Sequence, residues 1–463
     1  MFSRGARLVA GVSGVILISR LLGMAREIVI ADRFGTSSQY DLYLIAIMLP
    51  ALAYGVLNFA FYYLLVPYLT RLFQVEAASD ESSGRRIWSV FNGTVIASLL
   101  IAAAIIIFAP LVMPLWTSGD TATQLPTVIW YARLLSAIVV LATLEAFLRA
   151  VLNARQVFTY PAGGWIVFNL FFISAVILTQ KQLSIGALAL GQIGGLVCQN
   201  IYLALRVIAS RCLPRFRLSL SKNELRAIWG TAGVLIIVEL LNRSYFLIDR
   251  YFALPFGAGV VSALNYSSIL VQLPDSIVGF AIASVAFPLF AADKTPDQPH
   301  ANRLYRRAIL GGLFLAVPIA VLIGTLAEPL VRVIFMRGQF DAASLSKTAA
   351  ILRPHAATIA ALFVVSTSIR ACYARGWAKT VLAFTVILIV TKFLTTFLFS
   401  RWLAFPGISL ATSVSQLLFA VFLAVTVRRR FTGAHPGLLS PVVRVVTAGA
   451  VMLMALLLLI HWY

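Results

Sequence analysis

The chain has 463 residues, of which 61% are hydrophobic and 11% charged, with a mean hydropathy of +0.94. Soluble domains run near 45–50% apolar and about 25% charged, so the composition excludes one and points to a polytopic membrane protein. The formal net charge of +21 would suit nucleic acid, but the charges are placed for membrane topology and no nucleic-acid partner is expected.

Thirteen stretches are apolar and long enough for helices of about 20 residues to cross the hydrocarbon core. They are 8–31, 43–66, 88–114, 127–150, 158–179, 183–205, 228–248, 259–291, 308–327, 350–371, 380–400, 407–427 and 441–460. With a cytoplasmic amino terminus, the inward segments carry 23 Lys and Arg residues and the outward segments 7, the bias of the positive-inside rule. Residues 8–19 resemble a secretory signal core ahead of Gly23-Met24-Ala25, but Arg20 interrupts that pattern and an uncleaved first span is expected. Cys198, Cys212 and Cys372 give neither a disulfide framework nor metal-ligand spacing.

In the first span Arg20 sits near the midpoint, with Arg26 and Glu27 close behind. A charge at that depth costs roughly 2.5–3.5 kcal/mol on insertion scales and usually marks a polar cavity. Ser13, Arg20 and Glu27 are spaced by seven and share one helical stripe. Lining a substrate path and a structural ion pair between helices both remain open for these charges. The second span holds Pro50, and the fourth ends in Glu145 and Arg149, a spacing that reads as a helix-end pair. The seventh span carries Glu239 and Arg243 in the order that favours intrahelical pairing. The eighth has Gln272 and Asp275 around Pro274, whose ring frees a backbone carbonyl that a watery cavity can satisfy. Lys392 lies midway along the eleventh span, about 18 Å from its inner end at 1.5 Å per residue, and is expected to line the cavity.

The chain is doubled. Phe34 and Phe256 open similar segments 222 residues apart, while Arg149 and Arg370, and Gly186 and Gly407, are separated by 221. Leu49-Pro50 likewise matches Leu273-Pro274. A six-helix unit returns the chain to its starting side, so the halves are parallel repeats with a binding site expected between them. The expected organisation is a six-helix bundle over 1–205, a basic cytoplasmic linker over 206–227, a second bundle over 228–430 and an additional helix over 431–463. The central charges, Arg20, Arg243 and Lys392 against Glu239 and Asp275, leave a slightly cationic balance, and more so if Arg26 joins. That suits a large oxyanion, because arginine binds phosphates bidentately. There is no phosphate-cradling Gly-rich loop and no nucleophile or acid/base constellation, so neither enzyme chemistry nor a cofactor is expected.

Ser19–Glu27 (SRLLGMARE), Ala31–Gly35 (ADRFG) and Thr36–Pro50 (TSSQYDLYLIAIMLP) together resemble the opening signature of the MurJ/MviN lipid II flippase family. That family belongs to the multidrug/oligosaccharidyl-lipid/polysaccharide exporter superfamily. The resemblance implies two six-helix bundles forming a V around a cavity, with alternating access carrying a lipid-linked sugar diphosphate outward across the bacterial inner membrane. It also implies functional weight for Arg20, Arg26 and Asp41, with membrane lipid and glycan-synthesis proteins as further partners. Members usually place an arginine after the Leu-Pro of the second helix and then a Glu-Gly pair, where this chain reads Ala51-Leu52-Ala53-Tyr54-Gly55. An Asp-Arg pair usual in the eighth helix is replaced by Ser268-Ile269, and members tend to have fourteen helices. Peptidoglycan lipid II and an exopolysaccharide repeat unit on undecaprenyl diphosphate are thus both candidate cargoes. A cation-coupled multidrug exporter using Glu239 and Asp275, with Glu27 as a further ion-pair candidate, and a non-transporting scaffold for polysaccharide synthesis remain as alternatives.

Overall fold

A computed structural model describes residues 2–75, 81–209, 222–276, 299–430 and 439–462, and every regular element among them is helical. In lipid no water satisfies exposed backbone, so a chain this apolar closes its hydrogen bonds within helices. In chain order the helices are α1 Phe2–Phe34, α2 Ser38–Ala46, α3 Met48–Val75, α4 Glu81–Val112, α5 Asp120–Thr123, α6 Leu125–Leu135, α7 Ala137–Ala154, α8 Thr159–Leu183 and α9 Ile185–Ala209. They continue as α10 Lys222–Ala253, α11 Val260–Pro274, α12 Pro299–Thr325, α13 Ala327–Phe335, α14 Ala342–His355, α15 Thr358–Ala374, α16 Ala378–Leu403, α17 Phe405–Arg430 and α18 Leu439–Trp462. Part of the basic linker, 210–221, and the second half of the eighth expected span lie outside the described residues.

Among the described residues, seven helices can cross a membrane by length and composition, or up to nine if each of two bent pairs counts as one. The long helices α1 and α10 carry charges along their length, Arg20, Arg26 and Glu27 in the first and Glu239, Arg243 and Asp249 in the second. The expected second span is broken, with α2 and α3 bent by 44°. Pro50 explains the break, since its ring would clash with the carbonyl four residues back, at Ala46, where α2 ends. The expected tenth span is likewise two helices, α14 and α15, bent by 50°. Pro354 lies beside that bend, and Ser413 Oγ of α17 donates to the Pro354 carbonyl at 2.7 Å.

The chain divides into two compact units, Met1–Arg243 and Ser244–Tyr463, the division falling inside α10. In the first unit α8 packs on α9 and α1, and α7 on α3, α4 and α9. In the second, α16 packs on α17, and α15 on α12 and α17. Helix α18 lies against α12, with Gly449 close to Val317. The doubling extends to the backbone. Gly35 and Gly257 both take positive φ after the first helix of their halves, and Gln156 and Gly376 do so after α7 and α15. Ser184 and Ala404 do the same in the one-residue turns α8–α9 and α16–α17. A non-glycine residue rarely adopts this conformation, so its recurrence at matched turns supports the repeat without reference to side chains.

Outside the spans, Asp341 caps α14 by accepting the Ser344 N–H at 2.8 Å. That bond holds its carboxyl below the usual carboxylate range. A depressed carboxylate contributes stability above its unfolded pKa and loses it as pH falls. Asp341→Ala should therefore cost about 1 kcal/mol at neutral pH, and the difference from wild type should shrink below about pH 4. Thermal unfolding of the detergent-solubilised chain across pH reads this, and a pH-independent difference would refute the capping assignment.

Candidate substrate site

In the first unit the interior charges separate into committed and open groups. Arg26 is committed: its Nε and Nη2 donate to Glu27 Oε1 at 3.1 and 2.6 Å, and its Nη1 to Asn169 Oδ1 of α8 at 3.3 Å. The guanidinium also lies over Phe168 and Phe172, 5.6 and 5.3 Å from the ring centroids. Asn169 is itself held by donating to the Trp165 carbonyl at 2.8 Å. Six residues earlier on α1, Arg20 is exposed and has no hydrogen-bond or ion-pair partner among the described residues.

Helix α3 crosses α7 through a polar clamp. Asn58 donates to Glu145 Oε2 at 2.6 Å and accepts from Arg149 Nη2 at 2.5 Å, while Arg149 Nε lies 3.4 Å from Glu145. Glu145 is fully buried, so this clamp is what compensates its charge. One turn before Asn58 lie Tyr54 and Gly55. The charges of Glu145, Arg149, Arg243 and Arg26 all bear on Tyr54, and the Arg243 side chain of α10 rests directly against Gly55. Arg243 Nε donates to Glu239 Oε1 at 2.8 Å. Its Nη groups make no hydrogen bond or ion pair among the described residues, and its side chain is 46% exposed. In the first unit, then, Arg20 and the Nη groups of Arg243 are exposed and make no hydrogen bond or ion pair among the described residues.

The second unit is arranged differently. Lys392 of α16 has no exposure at all. Its ammonium pairs with Asp249 of α10 and donates to Thr412 Oγ1 of α17, with the Ile408 carbonyl 3.5 Å away and the Tyr245 ring centroid 4.7 Å away. Tyr245 Oη donates to the Thr412 carbonyl at 3.0 Å and lies 2.8 Å from Ser415 Oγ. Nearby, buried His355 bonds Ser267 through Nδ1 at 2.9 Å. Asp275, one residue past α11, accepts from Ser366 Oγ of α15 at 3.4 Å, and the Arg370 charge bears on it.

The family model described as lipid II flippase MurJ matches residues 30–463. The chain belongs to the MurJ family. A lipid II flippase MurJ from Burkholderia cenocepacia is 26% identical over 471 residues, covering 97% of this chain and 88% of that protein. A probable lipid II flippase MurJ from Rhizobium tropici is 28% identical over 448 residues, covering 90% and 80%. Among solved structures, a lipid II flippase MurJ in an inward closed conformation superposes with a TM-score of 0.80 at 20% identity, covering 96% of this chain and 91% of that one. A multidrug resistance MATE transporter of the MOP superfamily, inward-facing, gives 0.72 at 14% identity, covering 89% and 94%. At these identities the structural likenesses establish the fold, which is the one MurJ and MATE proteins share.

The structure gives the expected site residues different surroundings. Arg20 and Arg243 present accessible cations. Arg26 is tied to Glu27 and Asn169. Asp41 is buried in the first turn of α2, where the helix macrodipole favours a carboxylate. Lys392 was expected to line a cavity; it is instead sealed against Asp249, because a lone ammonium in a dry interior needs a counter-charge. Asp249 is the residue that sequence reasoning missed. Its signal was present in the repeat: the offset of 222 that joins Phe34 to Phe256 also carries Glu27 onto Asp249.

Breaking one side of a buried ion pair costs about 3–5 kcal/mol, whereas replacing both partners is often near neutral. Lys392→Met or Asp249→Asn alone should thus lower the unfolding temperature of the purified chain strongly, and the double variant should recover most of the loss. Additive losses would show that the two charges do not stabilise each other.

Proposed function

We propose that the protein moves an undecaprenyl-diphosphate-linked glycan precursor from the inner to the outer leaflet of the bacterial cytoplasmic membrane by alternating access. Membership of the MurJ family supports the cargo class. The observation that carries the reading to particular residues is the pair of open guanidiniums, Arg20 and Arg243, in a segment where other interior charges are paired. A diphosphate crossing hydrocarbon unaided would strand its oxygens at several kcal/mol each. A guanidinium replaces the lost hydration with charge-assisted hydrogen bonds while the polyprenyl chain stays in lipid. The distribution of Lys and Arg supports a cytoplasmic amino terminus, which places cargo loading on the side where the precursor is made.

Arg20→Ala should abolish transport while the protein still inserts at normal level, because Arg20 holds no partner that folding needs. The assay is rescue of cells depleted of their own lipid II transporter, with an outer-leaflet readout of labelled precursor. Rescue by wild type identifies lipid II as cargo. Full rescue by Arg20→Ala would remove Arg20 from the site.

A further inference from the structure

We infer that Gly55 is a positioning residue for the substrate headgroup: its missing side chain seats the Arg243 guanidinium against α3 with the Nη edge free for a diphosphate. The inference rests on the function proposed above and extends it to a residue with no functional group of its own.

The space at Gly55 is occupied by one side chain. A Cβ placed there would lie 2.5 Å from Arg243 Nε, 2.7 Å from Cζ and 3.0 Å from Cδ. Separations under 3.0 Å are not seen for real Cβ atoms, so any other residue at position 55 displaces the guanidinium. The nearest atoms all belong to Arg243 and none to a neighbouring backbone, so the gap does not serve close helix packing. Glycine is also a poor choice inside a helix, losing more freedom on folding than alanine, and Gly55 lies well within Met48–Val75.

The other side of the guanidinium is fixed too. Glu239 engages only Nε, at 2.8 Å. That contact sets the plane of the group and leaves Nη1 and Nη2 without partners among the described residues. Two parallel N–H donors on one edge match two phosphate oxygens, a geometry a lysine ammonium does not reproduce. A glycine floor and a carboxylate at Nε together hold the fork before the ligand arrives, which reduces the ordering cost of binding.

The test uses the full chain in lipid nanodiscs, with undecaprenyl diphosphate as the probe and native mass spectrometry as the readout. Gly55→Ala, Arg243→Ala and Arg243→Lys should each weaken binding on the order of tenfold or more, the range of one lost charge-assisted contact. Gly55→Ala added to Arg243→Ala should cause no further loss of binding or thermal stability, because the atoms the new methyl would strike are gone. Unchanged binding by Gly55→Ala, or an equal further loss in the double variant, overturns the inference and leaves the flippase reading standing. Failure of the wild-type chain to bind undecaprenyl diphosphate overturns that reading, and the inference with it.

Discussion

An ionised side chain inside a bilayer must find an opposite charge, water or a ligand. This constraint organises the molecule. Glu27 takes Arg26, Glu145 takes Arg149 through Asn58, Glu239 takes Arg243 Nε and Asp249 takes Lys392. The pairs are arranged differently because burial differs. Glu145 and Lys392 are fully enclosed and have counter-charges supplemented by an amide or hydroxyl, as low dielectric demands. Glu239 is shallower and engages one nitrogen of a half-exposed partner. The uncommitted charge of Arg20 and the unpartnered Nη donors of the Glu239-paired Arg243 are thereby distinguished from the charges that hold helices together.

The two halves solve the same problem at matched positions with different residues. Where α1 meets α8, Glu27 is neutralised from its own helix by Arg26, and α8 contributes the Asn169 amide. At the corresponding place in the second unit, Asp249 of α10 is neutralised from across the contact by Lys392 of α16. In the second unit Ser366 and Arg370, which match Glu145 and Arg149 at the offset of 221, have Asp275 beside them, at a repeat position different from that of Asn58. An uncharged hydroxyl, Ser366, stands where Glu145 does, and the carboxylate is Asp275, one residue past α11. Repeated topology preserves where a polar contact is needed; the side chains that supply it have drifted. In unit 1 Arg20 is exposed, while Lys392 of unit 2 is enclosed.

Much of this was legible in the sequence. The helical class, the doubling and the depth of the interior charges follow from hydropathy, a fixed offset and 1.5 Å per residue. The broken second span was foreshadowed by Pro50, whereas the α14–α15 bend was read through as one span over 350–371 although Pro354 lies beside it. Charge placement was harder to read. Lys392 stands alone in its span; the repeat offset marks Asp249, 143 residues earlier, as the match of Glu27 but does not show that it lies against Lys392. Asp249 itself looked like part of an outer helix end beside Arg250. Gly55 carried no signal, because a glycine in an apolar helix means little until the side chain occupying its space is known.

The difference between Arg26 and Arg243 shows how one residue type is divided between structure and recognition. Arg26 has all three nitrogens engaged and two aromatic rings beside it, so a ligand could recruit it only by breaking bonds that order α1 against α8. Arg243 is held at one nitrogen and rests on bare backbone, so a ligand adds contacts without removing any. Transport requires that the headgroup be released as well as bound. A fork that keeps its Glu239 contact in both conditions stays compensated when empty, and the site returns to its starting state without leaving an unpaired charge in the membrane.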